Sequence, residues 1–220
     1  MRDGLAGAGY TILNADQLKT WMNARIADKK LSVVVFCQDV VPDTVCETMS
    51  DTCTLRRYLD AGGKIVWYAD WPFYYQGHAD GTSTTWGSAG ASTILGFNAS
   101  SGPNDSYDVV AFTSAGTTWG LTTTWQSQRP TSPTITSNVT PLATTSAGSA
   151  AAWAKHFVPR NKARGFVRIW DTTGTPPVAD VISVAESKGV LAADLRPDNV
   201  INFKDFAVLA DSWLEEIFWP

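Results

Sequence analysis

Acidic and amide residues near the carboxyl end of the chain are spaced like the oxygen ligands of a calcium-binding loop. Segment 194–205 reads DLRPDNVINFKD. Calcium takes six or more oxygen ligands, and a loop of about twelve residues can wrap them around one ion. On such a loop the ligand positions fall on Asp194, Asp198, Val200 (through its carbonyl), Asn202 and Asp205. The spacing therefore predicts that the chain binds calcium as a cofactor.

Arg196 argues against calcium, because it stands at a position that normally supplies a ligand. Its positive charge repels a cation by roughly 4 kcal/mol per pair of unit charges at about 4 Å and an effective dielectric of about 20. The alternative is a loop that keeps its shape without metal, with Arg196 bridging the aspartates. The sequence leaves both interpretations open.

Asp39, Asp70 and His78 are the candidates for acid–base chemistry. Each is expected near the carboxyl end of a parallel strand, where ligands bind in open α/β sheets. Two carboxylates and a histidine could together catalyse hydrolysis. The plainer interpretation is that the aspartates cap loops and His78 is a solvated loop residue. We favour the plainer one, so a hydrolase is an alternative prediction only.

The chain has three cysteines, Cys37, Cys46 and Cys53. Cys46 and Cys53 flank a polar turn and could close a short disulfide loop, which would imply an oxidising compartment. A pair of reduced thiols is the equal alternative. Cys37 ends an apolar run and is expected to be buried. An odd count without a Cys-x-x-Cys motif argues against a zinc site.

Aromatic residues are concentrated in loop 70–87 and at the carboxyl end. The candidate contact residues are Trp71, Tyr74, Tyr75, Trp86, Trp213, Phe218 and Trp219. Flat side chains on a rigid loop can anchor a protein interface or stack on sugar rings. We favour protein contact, because the threonine-rich neighbours lack the acidic side chains that sugar-cleaving enzymes use. Carbohydrate binding by the Trp71–Trp86 loop is the alternative.

The composition excludes several classes of protein. The chain has 220 residues, 44% hydrophobic and 17% charged, with a net charge of −4 and a pI of about 5.1. Disordered chains are poor in apolar residues, and nucleic-acid-binding proteins carry clusters of lysine and arginine. No apolar stretch approaches about eighteen residues, so no membrane span is expected. No signal peptide is visible at the amino end.

The order of secondary structure predicts an α/β fold. Asn14 and Gln17 form a capping box at the start of a helix. The run 31–37 is typical of a strand covered on both faces. A following helix stops at Gly62-Gly63 and leads directly into a second buried strand, 64–69. Strand, helix and strand in this order predict a parallel sheet with right-handed crossovers.

The segment LRRYLDAGGKIVWYAD (Leu55–Asp70) resembles the class I glutamine amidotransferase-like fold, and within it the ThuA-related members. The resemblance implies a flavodoxin-like, mostly parallel sheet flanked by helices over residues 1–189. Active members carry a nucleophilic cysteine on the turn after this strand, activated by a histidine. Here that turn reads Asp70-Trp71-Pro72, and the chain lacks the His-x-Glu pattern. The resemblance thus implies the fold without its reaction, so we expect no enzyme.

The segment VINFKDFAVLADSWLEE (200–216) resembles a single type I dockerin repeat. This second resemblance implies a small tail, 190–220, made of an EF-hand-like calcium loop and one helix. Dockerins attach proteins to a scaffold, but the usual second repeat is missing. Binding of the usual two-repeat kind is therefore in doubt.

These features together predict a non-enzymatic extracellular or cell-surface structural module. Its expected partners are copies of itself, in an oligomer or a fibre, or a cell-surface scaffold protein. Glycans are the alternative partner, and nucleic acid is not expected.

Overall fold

The computed structural model describes residues 1–102, 107–132, 138–157 and 165–187. Its helices are α1 (Arg2–Gly7), α2 (Ala15–Asp28), α3 (Thr54–Asp60), α4 (Ser88–Leu95), α5 (Ser114–Thr118) and α6 (Val178–Glu186). Its strands are β1 (Val33–Val35), β2 (Val41–Pro42), β3 (Lys64–Tyr68), β4 (Tyr75–Gly77), β5 (Ser83–Thr85), β6 (Ala111–Phe112), β7 (Val139–Thr144), β8 (Ala150–Lys155) and β9 (Gly165–Ile169).

The main sheet has six strands in the order β1-β3-β9-β8-β7-β6. Strands β1, β3 and β9 run parallel to one another, whereas β9, β8, β7 and β6 pair antiparallel. A smaller sheet has the order β2-β4-β5. The prediction of an α/β protein whose sheet is flanked by helices is confirmed. The sheet is mixed, because an antiparallel half lies beside the parallel strands.

Helices cover both faces of the main sheet. In β3, Ile65 and Trp67 join a core that includes buried side chains of α2, α3 and α4. The alternate residues Val66 and Tyr68 face the other core, which includes buried side chains of α1 and α6. Because side chains alternate along a strand, a fully buried strand such as β3 supplies both cores. The parallel strands therefore lie at the centre of a layered molecule.

The local signals at two helix ends are confirmed. Asn14 caps α2: its side chain accepts from the Gln17 backbone nitrogen at 2.9 Å, and the Gln17 side chain accepts from the Asn14 backbone nitrogen at 3.0 Å. Helix α3 is followed by Gly62, at φ 94°, and Gly63. A Cβ at Gly63 would collide with the ring of Tyr58. Glycine is thus required where α3 turns into β3.

The run 31–37 forms a shorter and less deeply covered strand than expected, although Val34 packs against one core and Val33 and Val35 pack against the other. Only Val33–Val35 is a strand, its residues are half-buried, and it lies at the edge of the sheet. Cys37, expected to be buried, is exposed. A run of valines reports a preference for extended backbone, but it does not report how many strands lie beside it.

Within the described ranges, no helix is long and apolar enough to cross a membrane. The predicted tail, 190–220, lies outside the described residues, and so does its boundary with the body at residue 189. The EF-hand-like loop and the division into two domains therefore stay predictions.

Candidate functional site

The carboxyl ends of β3 and β9 meet at one edge of the main sheet. The Ala69 backbone nitrogen donates to the Trp170 carbonyl at 2.9 Å. Both residues have left-handed backbone, with φ values of 75° and 56°. For residues other than glycine this conformation costs on the order of 1–2 kcal/mol. Backbone strain of this kind clusters at functional sites, and ligands bind at this edge in open parallel sheets.

An ion pair between Asp70 and Arg129 lies at this edge. The Arg129 Nε and Asp70 Oδ1 atoms are 3.3 Å apart, and the two side chains are 31% and 19% exposed. Asp70 Oδ1 also accepts from the Trp71 backbone nitrogen at 2.6 Å. The pair is therefore held in place and remains accessible to a partner.

A network of buried hydrogen bonds supports the Asp70–Arg129 ion pair. Arg168 is fully buried and donates to the Arg129 carbonyl at 2.7 Å. Asp171 is also buried and accepts from Trp125 Nε1 and Ser127 Oγ, both at 2.6 Å. Burial lowers the pKa of Arg168 to about 10, opposed by the charges of nearby aspartates, and burial raises the pKa of Asp171. These contacts fix Arg129 at the end of β9.

Donor groups without acceptors are concentrated around the same edge. Four buried side-chain atoms of the described residues have no hydrogen-bond partner, and three of them belong to Trp71 (Nε1), Trp170 (Nε1) and Arg168 (Nε). Native proteins leave few such groups unpaired. The unpaired donors and the strained backbone thus occur at the same edge of the main sheet.

Four of the predicted aromatic contact residues lie together next to the ion pair. We call Trp71, Tyr74, Tyr75 and Trp86 the aromatic surface; all four are half-buried. The ring centroids of Trp71 and Tyr74 are 5.7 Å apart, and those of Tyr74 and Tyr75 are 4.9 Å apart. The Trp86 backbone nitrogen donates to the Tyr74 carbonyl at 2.9 Å.

Phe73 anchors the loop that carries the aromatic surface. It is fully buried, and its ring centroid lies 5.6 Å from that of Trp67 and 5.5 Å from that of Phe166. One residue of the loop is thus part of the core while its neighbours remain partly exposed. The aromatic surface is a rigid feature, and no ordering of the loop is needed before a partner binds.

The candidate acid–base residues have different partners. Asp39 is exposed, and Asp70 pairs with Arg129. His78 hydrogen-bonds to Asp43 through Nδ1 at 2.9 Å and to the Thr84 hydroxyl through Nε2 at 2.8 Å. An acid, a histidine and a hydroxyl in this order can activate a nucleophile. Here they also join β4 to β5, across a surface hairpin.

Sequence reasoning missed Arg129, Arg168, Asp171, Asp43 and Thr84. One signal could have found Asp171: it follows buried strand β9 as Asp70 follows β3, in the segments IWD and YAD. Nothing in the sequence indicates that Arg168, which stands between Val167 and Ile169, is a buried cation.

The predicted disulfide residues lie side by side. Cys46 and Cys53 are buried, and their sulfur atoms are 3.2 Å apart as free thiols. Burial, together with Cys53, raises the pKa of Cys46 well above its usual value. The disulfide stays a prediction for which the two sulfurs are suitably placed.

The predicted metal ligands Asp194, Asp198, Val200, Asn202 and Asp205 lie outside the described residues. The same is true of Trp213, Phe218 and Trp219. In the part of the chain that is described, no three His, Cys, Asp or Glu side chains come together as a metal site would require. Calcium binding therefore stays a prediction about the tail.

Helices on both faces of a mixed sheet, with an aromatic loop at the ends of its parallel strands, define a layered α/β domain. Within that class the chain belongs to the MJECL34 family, whose profile matches residues 2–193. It is similar to "Uncharacterized protein MJECL34" of Methanocaldococcus jannaschii, with 40% identity over 75 residues. That match covers 32% of this chain and 25% of the relative, so the chain spans about a quarter of the relative's length. No solved structure matches.

Both family resemblances drawn from the sequence were wrong. The family that matches is MJECL34, and neither a glutamine amidotransferase family nor a dockerin family matches. The segment Leu55–Asp70 suggested the first because a helix that ends in Gly-Gly before a buried strand is a general solution of parallel α/β proteins. Segment 200–216 suggested the second from a short run of calcium-ligand and apolar positions.

Proposed function

We propose that this domain is a non-enzymatic assembly module, which associates with copies of itself or attaches to a scaffold protein through the aromatic surface. The single observation that carries the proposal is the position of Trp71, Tyr74, Tyr75 and Trp86 in one half-exposed group beside Arg129. Tryptophan, tyrosine and arginine are the residue types enriched at the energetic centres of protein interfaces.

The surroundings of the aromatic surface support protein contact. The chain is poor in charge, and interface cores are depleted of charged residues. The surface is also preorganised, because Phe73 is fixed in the core. A preorganised surface loses little side-chain entropy when it binds. We place this assembly outside the cell or on its surface, where the Cys46–Cys53 pair could be oxidised.

Substitution in the aromatic surface tests the proposal. We expect the wild-type chain to form an oligomer or fibre, and Trp71→Ala to weaken association by about 30-fold, which corresponds to a loss of about 2 kcal/mol. Size-exclusion chromatography with light scattering measures the mass. The matched control is Tyr107→Ala, because Tyr107 is an exposed aromatic residue (55% exposed) that is not part of the aromatic surface.

Two further controls make the result decisive. Near-ultraviolet circular dichroism shows whether Trp71→Ala keeps the native fold, and Tyr74→Ala provides a second, smaller change in the same surface. The proposal is wrong if both variants associate as the wild type does. It is equally wrong if Tyr107→Ala dissociates the oligomer while the two surface variants do not.

Carbohydrate binding by the same surface is the second candidate function. The observation that favours it is the accessible Asp70–Arg129 ion pair, whose Asp70 carboxylate accepts a hydrogen bond from the Trp71 backbone nitrogen. A carboxylate and a guanidinium next to a flat ring can hydrogen-bond hydroxyls while the ring stacks on a sugar. Retention of wild type, but not of Trp71→Ala, on an insoluble polysaccharide, with the wild type monomeric, would favour this function over assembly.

The parallel half of the sheet supports a more specific proposal about the fold. We propose a flavodoxin-like arrangement for β1, β3 and β9, with α2 and α3 on one face and α1 and α6 on the other. The observations that support it are the two parallel pairings and the two separate cores.

A further inference from the structure

Among the residues that the structure describes, β1 has a strand beside it on one side only. Ser32 accepts from the Lys64 backbone nitrogen, and Phe36 donates to the Val66 carbonyl, both at 3.0 Å. In a parallel ladder, alternate residues bond to the same neighbour. The peptide groups of Val33, Val35 and Cys37 therefore point away from β3. Among the described residues, no strand pairs with that side of β1.

A groove with a volume of about 910 Å³ lies along this open side of β1. One wall is β1 itself, and the other is formed by the segment 10–15 between α1 and α2. Ile12 lines the groove and is 46% exposed. The lining is mostly apolar, and among the described residues that form it Arg2 is the only one with a charged side chain. A large apolar groove of this kind is the usual form of a binding site.

The order of the elements indicates that the groove occupies the position of an additional strand next to β1. Helix α1 packs against α6 on one face, and α2 packs against α3 on the other. The segment 10–14 therefore crosses the edge of the sheet. Helix α2 then connects this segment to β1, and α3 connects β1 to β3. Both helices lie on the same face of the sheet. Parallel crossovers share one hand. The space between 10–14 and β1 thus corresponds to one more strand of the parallel half.

We propose that this groove accepts one extended strand of a partner polypeptide, which pairs with β1 through Val33, Val35 and Cys37. An acyl chain would fit the apolar walls, but it would leave these peptide groups without hydrogen bonds, and buried peptide groups are rarely left unpaired. Addition of a strand satisfies them. The proposal concerns a different surface from the aromatic surface and does not depend on it.

Charge complementarity defines the chemistry of the partner strand. Arg2 and Cys37 both line the groove, which places the Arg2 side chain near the carboxyl end of β1. Arg2 also pairs with Asp3, with Nε and Oδ1 3.1 Å apart, but an ion pair this exposed contributes little to stability and leaves Arg2 able to meet a second carboxylate. A strand parallel to β1 would bring its carboxyl end to this place. The partner is therefore an apolar, β-branched segment with a carboxylate at its carboxyl end.

A synthetic peptide added to the full chain tests the proposal. The probe is an acetylated peptide of valine and isoleucine, about seven residues long to match an ordinary strand, with a free carboxylate. Hydrogen exchange read at the amides of Val33, Val35 and Cys37 should slow by about tenfold or more at saturation. Amidation of the peptide or Arg2→Gln should weaken binding several-fold.

The matched controls separate strand addition from simple apolar binding. Ile12→Asp should abolish binding, whereas Leu31→Asp, at another exposed apolar residue, should not. The same peptide methylated on alternate backbone nitrogens should fail to bind. The proposal is overturned if the methylated peptide or decanoate binds equally well, or if the peptide slows none of the three amides. It is also overturned if those amides are already protected without peptide, because the chain would then fill its own groove.

Discussion

Lys64 shows how one buried charge connects the sheet to a helix. Its ammonium group donates to the carbonyls of Val184, Ala185 and Ser187 at the carboxyl end of α6, and it lies 4.5 Å from the centre of the Trp119 ring. Cations are favoured at this end of a helix. Burial nevertheless lowers the pKa of Lys64 from 10.5 to about 7. The Lys64 ammonium group therefore caps the carboxyl end of α6, and its titration makes the free energy of unfolding depend on pH.

We predict that the free energy of unfolding rises between about pH 7 and pH 8.5. In this range the unfolded chain keeps the Lys64 proton and the folded chain loses it, and stability rises with pH wherever the unfolded state binds more protons. Below about pH 7 the full cost of burying the charge is present. Urea unfolding at several pH values measures the free energy of unfolding of wild type and of Lys64→Met. The wild-type value should rise relative to the Lys64→Met value as the pH rises. Parallel curves for the two proteins would contradict the assignment.

Single residues also show why the candidate site could be only half predicted. Asp70 and the aromatic surface follow a strand that the sequence identifies, so their place at the carboxyl edge could be foreseen. Arg129 and Arg168 come from distant segments and meet only when β3 and β9 pair. Arg168 lies within an apolar strand and resembles a surface residue in the sequence. Long-range pairing is the information that local patterns lack.

At the scale of elements, the loop between β2 and α3 is held by the Cys46–Cys53 contact. The sulfur atoms are 3.2 Å apart, and the Leu55 backbone nitrogen donates to the Val45 carbonyl at 2.8 Å. The two cysteines thus lie at the ends of a short segment whose ends are already fixed together. Little movement is needed for the sulfurs to bond.

We predict that mild oxidation forms the Cys46–Cys53 disulfide and stabilises the protein by about 2–3 kcal/mol, as expected for a short closed loop. Intact-mass spectrometry should show the loss of two hydrogens, and urea unfolding with and without reductant should show the change in stability. Cys37→Ser, which alters the exposed cysteine, should respond to oxidation as the wild type does. If Cys37→Ser still has both free thiols after treatment with the oxidant, the prediction is contradicted.

Elements with local end signals were the ones that the sequence predicted well. The Asn14 capping box and the Gly62-Gly63 ending depend on neighbouring residues only, and both are confirmed. The edge position of β1 was missed, because it depends on which strands lie beside it. The order of the antiparallel strands was missed for the same reason: β8 pairs with both β7 and β9, and that order follows from the whole sheet.

At the scale of the whole molecule, two features are suited to contact with other chains and lie in different places. The aromatic surface stands at the carboxyl ends of the parallel strands, and the groove runs along the open edge of β1. An open sheet edge is a template for pairing with another chain. A module with two such surfaces could both associate through its aromatic residues and accept a strand, so each surface can be altered separately.

The mass of the full chain in solution tests the proposed function most directly. Light scattering over a range of protein concentrations should give a mass that is a multiple of 23.8 kDa and that falls on dilution. Trp71→Ala should reduce it to 23.8 kDa at concentrations where wild type and Tyr107→Ala remain associated. A wild-type chain that stays at 23.8 kDa at every concentration, with no scaffold protein retained by the aromatic surface, would contradict the assembly function.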